Sequence, residues 1–425
     1  MKKLFLLFLL IFLTTSCVKR NVKPNPSACN CPPPAQTAEQ PIEIPKGTKA
    51  TEVKPAETAK VADYSLLKSA KWEEVDGLLE DDLSAAWSAF QQSCSTLINK
   101  QQANKSQWQT ACAAAKDMPL TNYKPNNAAF IAYLTNYFDV YSANNLDGTN
   151  TGLITGYYEP VLKGGRTKSA QNPYPLYRQP SDLVTVELAD IYPDLKYKRV
   201  RGKLVGNKLV PYNTRAEIEA NPSPLAGSEL VWINDIIDVF FLQIQGSGII
   251  QFENAQMDNG GQMHVGYADQ NGHAYNSIGR ILIDRGELTA DQASMQGIKT
   301  WARSHLDKLR DLLNSNPSYV FFRELPAGLP GPIGALGVPI SAERSVAIDP
   351  KFVPLGAPIF LSTTQPNSAK PLKRLMLAQD TGGAIKGGVR ADFFWGAGND
   401  AGAKAGAMKQ SGKIWVMLPK GFKLN

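Results

Sequence analysis

The sequence predicts a mainly β protein with an N-terminal helical part. Between Asp63 and about Asn145, apolar residues recur every three or four positions, which is the period of an amphipathic helix. From Gly152 onward, short β-like runs are separated by Gly and Pro, which is typical of barrels and sandwiches. The chain has 425 residues, of which 43% are hydrophobic. This is enough to bury the cores of two or three domains.

The first 16 residues have the features of a secretory signal peptide. Lys2 and Lys3 give a basic start, and an apolar run over residues 4–13 precedes three small residues and then Cys17. The run is too short for a permanent membrane helix, which needs about 20 residues. A cysteine at this place resembles the bacterial lipoprotein cleavage site, so we expect cleavage after residue 16 and lipidation of Cys17. The alternative is ordinary signal-peptide cleavage nearby.

Residues 17–62 are predicted to form a disordered tether. Eight prolines and no aromatic residue occur between residues 18 and 62, so this stretch cannot bury enough apolar surface to fold. Val18 follows the cysteine, and the absence of Asp there indicates the outer membrane, by resemblance to other Gram-negative lipoproteins. We therefore expect an outer-membrane lipoprotein whose folded part faces the periplasm.

The predicted helical part carries one apolar stripe and a second helical stretch. Cys94 lies on the stripe, and Cys112 lies with Trp108 on the second stretch. In an oxidising compartment, two such cysteines predict a disulfide that joins the helices. Aromatic residues from Phe130 to Phe138 continue the helical pattern and are expected to pack in the core. The stripe consists of Leu79, Leu83, Trp87, Phe90, Cys94 and Leu97.

The remainder of the chain is predicted to be short strands with one helical interval, over residues 277–313. Gln243 and Gln245 fall in one of these strands and would share a face. The predicted strands are residues 152–162, 183–188, 230–233, 238–252, 319–323, 345–348, 357–362, 374–378 and 413–418.

Three polar segments near the C-terminus are the candidates for chemistry. Asp349 and Asp380 each follow an apolar run, and Asp392 precedes three aromatic residues, 393–395. Aromatic faces beside carboxylates suit sugar rings, and apolar walls next to a second carboxylate keep one carboxyl protonated as a general acid. Cleavage of a glycosidic bond requires such an acid. Lys386 and Arg390 add positive charge between the carboxylates. The alternative is that an aspartate beside glycine is an ordinary turn residue.

Several other functions are disfavoured by composition. A net charge of +7 is too mild for a dedicated nucleic-acid binder. His264, His273 and His305 are far along the chain from the cysteines, which argues against a metal site. His264 and His273 are not accompanied by a nucleophile signature and are interpreted as structural or surface residues.

The polar segments resemble a known domain and a known enzyme family. Residues 347–350, 378–387 and 390–396 resemble the three-aspartate domain, a double-psi β-barrel. Together with Thr-Gly-Tyr-Tyr-Glu-Pro at 155–160 and Gln-Ile-Gln-Gly-Ser-Gly at 243–248, they resemble the membrane-bound lytic murein transglycosylase A family. Residues 265–268 and 276–279 fall between these motifs in the family's order. The resemblance covers about residues 63–425 and leaves out the tether.

The resemblance implies an activity and assigns residues to it. Family members cut the β-1,4 bond between N-acetylmuramic acid and N-acetylglucosamine in peptidoglycan and leave a 1,6-anhydro ring, without a cofactor. Asp392 matches the catalytic aspartate and Asp380 its neighbouring carboxylate. Cell-wall synthesis or division proteins are further partners to expect, beside glycan strands and outer-membrane lipid. The residues implied to contact the glycan are Thr155, Tyr157, Gln245 and Ser247, with Asp349 in support and Lys386 either in contact or in a solvated turn.

The resemblance also implies an architecture. Residues 63–154 and 325–425 would form a discontinuous helical and double-psi barrel domain, and residues 155–324 an inserted β domain that makes the other wall of a substrate groove. We expect Glu159 to form an ion pair between the two. Two alternatives remain at this point: a non-catalytic glycan-binding module of the expansin kind, and a muramidase that uses water with Asp380 as the base.

Overall fold

The computed structural model describes residues 62–424, apart from 101–103, 196–197, 199 and 253–260. The predicted signal peptide, Cys17 and all of the tether except its last residue therefore lie outside the described residues. Within the described part, no helix combines the length and the apolarity needed to cross a membrane.

Strands predominate, as the sequence predicts, and helices connect them. The strands are β1 (Leu67–Ser69), β2 (Phe138–Ala143), β3 (Gly152–Glu159), β4 (Val161–Gly165), β5 (Tyr174–Tyr177), β6 (Val184–Thr185), β7 (Arg201–Val205), β8 (Lys208–Val210), β9 (Glu229–Ile233), β10 (Ser247–Phe252), β11 (Gln262–Gln270), β12 (Val320–Glu324), β13 (Ser345–Ile348), β14 (Pro358–Thr364), β15 (Pro371–Thr381), β16 (Ala391–Ala397) and β17 (Lys409–Pro419). The α-helices are α1 (Trp87–Leu97), α2 (Lys105–Ala114), α3 (Asn127–Tyr137), α4 (Arg215–Ile218), α5 (Ile236–Gln245), α6 (Ile278–Asp284), α7 (Met295–Ser304), α8 (Leu306–Asn314) and α9 (Gly398–Ala407).

Six strands close into a barrel. They follow the order β17, β14, β15, β13, β16 and β3, and β3 pairs back with β17. The pairs β13 with β15 and β3 with β16 are parallel, and the other pairs around the barrel are antiparallel. Strands β2 and then β1 extend the sheet outward from β17. Closure leaves the six barrel strands without a free edge.

The barrel strands are buried on both faces, which explains their nearly continuous apolar sequences. All four residues of β13 are buried, and so are Ile414 to Leu418 of β17. Helices α1, α2 and α3 contribute to the same apolar core, where Phe90 packs against Trp87 and Phe130. This core fixes the ends of β13, β15 and β16, at which the candidate aspartates lie.

The N-terminal helical part confirms the predicted disulfide and corrects the helix limits. Cys94 and Cys112 are bonded, with their Cα atoms 5.5 Å apart, and join α1 to α2. The regular helix begins only at Trp87, because short 3₁₀ turns precede it, and Leu79 is 79% exposed instead of lying on the buried stripe. Phe138 begins β2 and does not continue the helix that ends at Tyr137.

Removal of the disulfide is expected to destabilise the protein. In the double variant Cys94→Ser, Cys112→Ser, the unfolded chain regains the freedom of a loop of 18 residues, which lowers the free energy of unfolding by about 3 kcal/mol. Urea unfolding of the variant, beside the wild type with and without reductant, measures this. Equal midpoints for the variant and the oxidised wild type would contradict the expectation.

A buried carboxylate ties the N-terminal segment to the barrel. Asp81 is 2% exposed, and its oxygens accept hydrogen bonds from both terminal nitrogens of Arg344, at 2.6 and 3.0 Å. Arg374 Nη1 at 3.3 Å and the Leu375 backbone N–H at 2.8 Å donate to the same carboxylate. Because Leu375 lies in β15 and Arg344 directly precedes β13, this contact holds the two strands that lead to the candidate site.

Strands β4 to β12 form two other sheets. One has the order β12, β11, β10, β4, β9 and β5, and the other has the order β6, β7 and β8. The predicted strand over 238–252 is wrong in its first half, because Gln243 and Gln245 lie in helix α5. Asp235 caps the start of this helix, and Gly246, with φ of 82°, ends it. The predicted strand over 183–188 is reduced to β6.

Sheet pairing also changes the expected surroundings of Thr155 and Tyr157. The predicted division begins the inserted segment at residue 155, but β3 runs to Glu159 and pairs with β16 and β17 of the barrel. Thr155 and Tyr157 therefore belong to the same sheet as Asp392, and do not reach it from another sheet.

Candidate active site

The two candidate aspartates belong to one row of side chains across the barrel. Ala347 in β13 is the register partner of Asp380 in β15 on one side and of Asp392 in β16 on the other. Thr155 in β3 is in turn the partner of Asp392. Because paired residues on neighbouring strands point to the same face, Asp380, Asp392 and Thr155 share a face. Two strand spacings separate the aspartate Cα atoms by about 10 Å.

Asp392 is half-buried and is held by one hydrogen bond. The Thr155 hydroxyl donates to its Oδ1 at 2.6 Å. Burial raises the pKa of Asp392 to about 6, and the charge of Asp380 acts in the same direction, whereas the Thr155 hydrogen bond and the charge of Arg390 oppose the rise. A carboxyl of this kind is available as a proton donor under mildly acidic to neutral conditions.

Asp380 has a different environment, with donors on both oxygens. The Tyr157 hydroxyl donates to Oδ2 at 2.9 Å, and the backbone N–H groups of Ala335 and Thr381 donate to Oδ1 at 3.0 and 2.9 Å. Burial, and then the charge of Asp380, raises the pKa of Tyr157 well above its usual range, so the phenol keeps the proton that it donates. The two aspartates thus differ in their hydrogen-bond partners although they share a face.

The end of β15 is held in place by contacts on the face opposite to Asp380. Gln379 is fully buried and points away from Asp380, and its side-chain nitrogen donates to Ala89 O and Ser93 Oγ of helix α1, at 2.8 and 3.0 Å. Ser345 of β13 donates to its side-chain oxygen. These contacts fix the backbone on which Asp380 stands, which is what a preorganised site requires.

Asp349 and Lys386 lie at the glycine-rich loop between β15 and β16. Asp349 is 4% exposed, and its oxygens accept hydrogen bonds from the backbone N–H groups of Gly387 at 3.0 Å and Lys351 at 3.2 Å. This geometry fits a residue that fixes the loop. Lys386 is exposed on the same loop. Glycan contact by either residue stays a prediction.

Gln245 and Ser247 lie near the end of β3 that carries Tyr158. The Gln245 side-chain oxygen accepts a hydrogen bond from the Tyr158 backbone N–H at 3.1 Å. Gln245 lines a cavity of about 250 Å³ together with Gly156 and Tyr158. Because Gly156 and Tyr158 alternate with Thr155 and Tyr157 along β3, they face the other side of the strand. Ser247 begins β10 and is buried.

The aromatic residues that follow Asp392 do not offer faces to a sugar. Phe393, Phe394 and Trp395 are 0%, 2% and 6% exposed. Phe394 packs against Tyr157 with ring centroids 5.1 Å apart, and the Trp395 indole donates to the Met408 sulfur. The expectation of an exposed aromatic surface is therefore wrong. Only Phe394 shares the face of Asp392, because side chains alternate along β16, and it packs there with Tyr157 and Ala347.

Glu159, for which the sequence analysis expects an ion pair, is buried near a histidine of the other sheet. It lies two residues beyond Tyr157 on the same face of β3 and is 2% exposed, and burial raises its pKa to about 7. His264 Nδ1, on β11 of the six-stranded sheet, is 3.8 Å from its Oε1. This distance is longer than a hydrogen bond, and Glu159 Oε1 has no hydrogen-bond partner among the described residues, so the ion pair stays a prediction.

One contributor was not predicted from the sequence, namely the Ala335 backbone N–H that binds Asp380. It lies in the segment with Gly331, Gly334 and Gly337, where a Cβ atom on Gly334 would come within 2.6 Å of Gln379 O. This close approach requires glycine. The spacing of these three glycines is the signal that could have marked the segment as part of the site.

Comparison with known proteins identifies related sequences over most of the folded part. The model of the MltA specific insert domain matches residues 153–323, and that of the 3D domain matches residues 344–418. Membrane-bound lytic murein transglycosylase A of Escherichia coli K12 is 35% identical over 289 residues, which are 66% of this chain and 69% of that protein.

Solved structures of similar proteins resemble the whole folded part. The crystal structure of MltA from Neisseria gonorrhoeae is 36% identical, with a TM-score of 0.69, and the match covers 84% of this chain and 93% of that one. The structure of E. coli MltA with bound chitohexaose is 25% identical, with a TM-score of 0.62, and the match covers 85% and 97%.

Proposed function

Because this chain belongs to the family of membrane-bound lytic murein transglycosylase A and is a peptidoglycan-cleaving lyase, we propose that it cuts the β-1,4 bond between N-acetylmuramic acid and N-acetylglucosamine and leaves a 1,6-anhydro ring. Asp392 is the proposed single general acid and base. The observation that supports this most is the half-buried carboxyl of Asp392, whose pKa is raised to about 6, in the middle of the row across the barrel.

The proposed reaction uses one carboxyl twice. Protonated Asp392 gives its proton to the glycosidic oxygen as the bond from that oxygen to C1 breaks. The muramoyl 6-hydroxyl then attacks C1, and the Asp392 carboxylate removes the hydroxyl proton. The enzyme returns to its starting protonation state and water is not consumed. Asp380 influences the pKa of Asp392 through its charge and takes no part in proton transfer in this scheme.

The glycan is proposed to lie in a groove between the barrel and the six-stranded sheet. Thr155, Tyr157, Gln245, Ser247, Asp349 and Lys386 are the proposed contacts, with Thr155 and Tyr157 on the barrel wall. The related E. coli protein has been solved with bound chitohexaose, which supports binding of a glycan chain. We assign double-psi topology to the barrel, and its two parallel pairs among antiparallel ones support this. The inserted segment is proposed to form the other wall.

We propose that the enzyme acts at the outer membrane and faces the periplasm. Lipidation of Cys17 would hold it there, and the tether of residues 17–62 would let the catalytic part reach the peptidoglycan. The related proteins are named membrane-bound, and their name agrees with such an anchor.

Product analysis tests the proposed reaction. The full chain is incubated with purified peptidoglycan, and the released muropeptides are identified by mass spectrometry. We expect anhydro ends, each lighter by one water than the product of hydrolysis. Reducing ends would overturn the proposal in favour of a muramidase with Asp380 as its base. Bound glycan without released product would favour the expansin-like module.

The proposed acid also predicts a pH dependence. Only protonated Asp392 can start the reaction, so kcat/KM is expected to fall as pH rises through about 6. The Thr155 hydrogen bond lowers the pKa of Asp392, so Thr155→Val raises that pKa and moves the fall to higher pH. Initial rates across the pH range for both proteins measure the shift. A fall that moves to lower pH in Thr155→Val would contradict this assignment.

A further inference from the structure

Arg390 makes the second link in a chain of hydrogen bonds that ends on the proposed acid. Its Nη2 donates to Thr155 Oγ1 at 2.9 Å, and Thr155 Oγ1 donates to Asp392 Oδ1 at 2.6 Å. Its Nη1 donates to the backbone oxygens of Ala391 at 2.6 Å and Leu153 at 3.3 Å. The guanidinium is therefore held against both β3 and β16 by three acceptors.

The chemistry of these groups fixes the direction of each hydrogen bond. A guanidinium has only donors, and a threonine hydroxyl has one hydrogen and can also accept. Since Arg390 occupies the accepting side of the Thr155 hydroxyl, the single hydroxyl hydrogen is available for Asp392 Oδ1. Asp392 Oδ1 is then an acceptor in this contact. A proton on Oδ1 would face that hydroxyl hydrogen, so the carboxyl proton belongs on Oδ2.

We propose that Arg390 is a positioning residue that acts through the Thr155 hydroxyl and keeps the acidic proton of Asp392 on Oδ2. This deepens the proposed function and rests on it. Arg390 does not favour the protonated carboxyl by its charge, because that charge lowers the pKa of Asp392. Arg390 contributes by determining which carboxyl oxygen of Asp392 carries the proton. Without it, the hydroxyl can turn, and Oδ1 can take the proton and donate it to Thr155, away from the substrate.

A double-mutant cycle separates this role from a structural one. Arg390→Gln introduces a side-chain oxygen that can accept from the Thr155 hydroxyl, whereas Arg390→Lys keeps a donor-only cation. Each is made in the wild type and in Thr155→Val. The rates are compared well below pH 6, where Asp392 is protonated in every variant.

We expect Arg390→Gln to lower kcat about tenfold, the loss for one hydrogen bond of ordinary strength, with KM little changed and Arg390→Lys closer to the wild type. In Thr155→Val the same change to Gln should cost less than about twofold, because no hydroxyl remains to be oriented. Thermal unfolding of each variant shows how much of the protein is folded at the assay temperature, and rates are expressed per folded protein.

The possible results give distinct answers. Equal losses for Arg390→Gln with and without the Thr155 hydroxyl would overturn the positioning role, since a structural or purely electrostatic effect does not need that hydroxyl. Equal losses for Gln and Lys in the wild type would overturn it as well. If the proposed function itself is wrong and Asp392 is not the acid, Asp392→Asn keeps full activity. This result differs from both outcomes for Arg390.

Discussion

Asp392→Asn is expected to lower kcat/KM for peptidoglycan cleavage by about 10³-fold, within the range that general acid–base catalysis contributes. Asparagine keeps the shape of the side chain and can still accept from the Thr155 hydroxyl, but it has no proton to give to the glycosidic oxygen. The rate of anhydromuropeptide release measures the loss. A variant that keeps more than a tenth of the activity would contradict Asp392 as the acid.

Asp380→Asn is the matched control. Asp380 raises the pKa of Asp392 through its charge, so its removal lowers that pKa and moves the fall in rate to lower pH. The loss is therefore expected to be larger at pH 7 than at pH 5, and smaller than that of Asp392→Asn at both. A muramidase that uses Asp380 as its base would instead lose its activity in both variants at every pH.

Stability measurements check that Asp392→Asn is folded. They also test how the free energy of unfolding of the wild type depends on pH. Asp392 has a folded-state pKa of about 6, above its ordinary value of 3.8, so the folded state binds more protons between these values. The wild-type free energy of unfolding therefore falls as pH rises through this interval. Asparagine does not titrate. The unfolding temperature of the variant minus that of the wild type should therefore be larger at pH 8 than at pH 4.

Asp81→Asn is expected to have the largest effect on stability, a loss of about 3–5 kcal/mol in the free energy of unfolding. Asp81 is the buried acceptor for both terminal nitrogens of Arg344 and for Leu375 N. Asparagine cannot balance the guanidinium charge and has one fewer oxygen to accept these donors. The variant therefore leaves the buried charge of Arg344 without its partner, which destabilises the start of β13. It also weakens the hydrogen bond to Leu375 within β15. Urea unfolding followed by circular dichroism measures it.

Asp76→Asn is the control for that substitution. Asp76 also pairs with a cation, Lys373 at 2.9 Å, but its side chain is 60% exposed. Water solvates the Asp76 carboxylate there, so we expect little change in the urea midpoint. Equal losses for Asp81→Asn and Asp76→Asn would contradict the argument that burial of Asp81 determines the effect.

Asp380, Asp392 and Thr155, which the structure brings into one row, could be named as candidates from the sequence because they occur in recognisable motifs. The register that joins Thr155 to Asp392 could not be predicted from periodicity, because the two residues are 237 positions apart and only the β3–β16 pairing aligns them. The burial of the aromatic residues after Asp392 could not be predicted for a related reason. Alternation along a strand predicts one exposed face, whereas a barrel strand covered by helix α9 is buried on both.

Helix α5 has local sequence signals that distinguish it from a strand, although its apolar run does not. The apolar run around Gln243 and Gln245 fits a strand or a buried helix equally well. Asp235 at its start and Gly246 after its end are the usual helix caps, and the structure uses both. The two caps together, and not the apolar run, are the part of the sequence that predicts the helix.

Closure of the barrel has a consequence for biosynthesis. Strand β17 is the last strand of the described chain, and through Lys409 to Gly412 it pairs with β3, next to Thr155. Before these residues have been translated, β3 has only one barrel neighbour available and the row around Asp392 lacks its last strand. A polypeptide that terminates before Lys409 therefore carries both aspartates without the strand that closes the barrel beside Thr155.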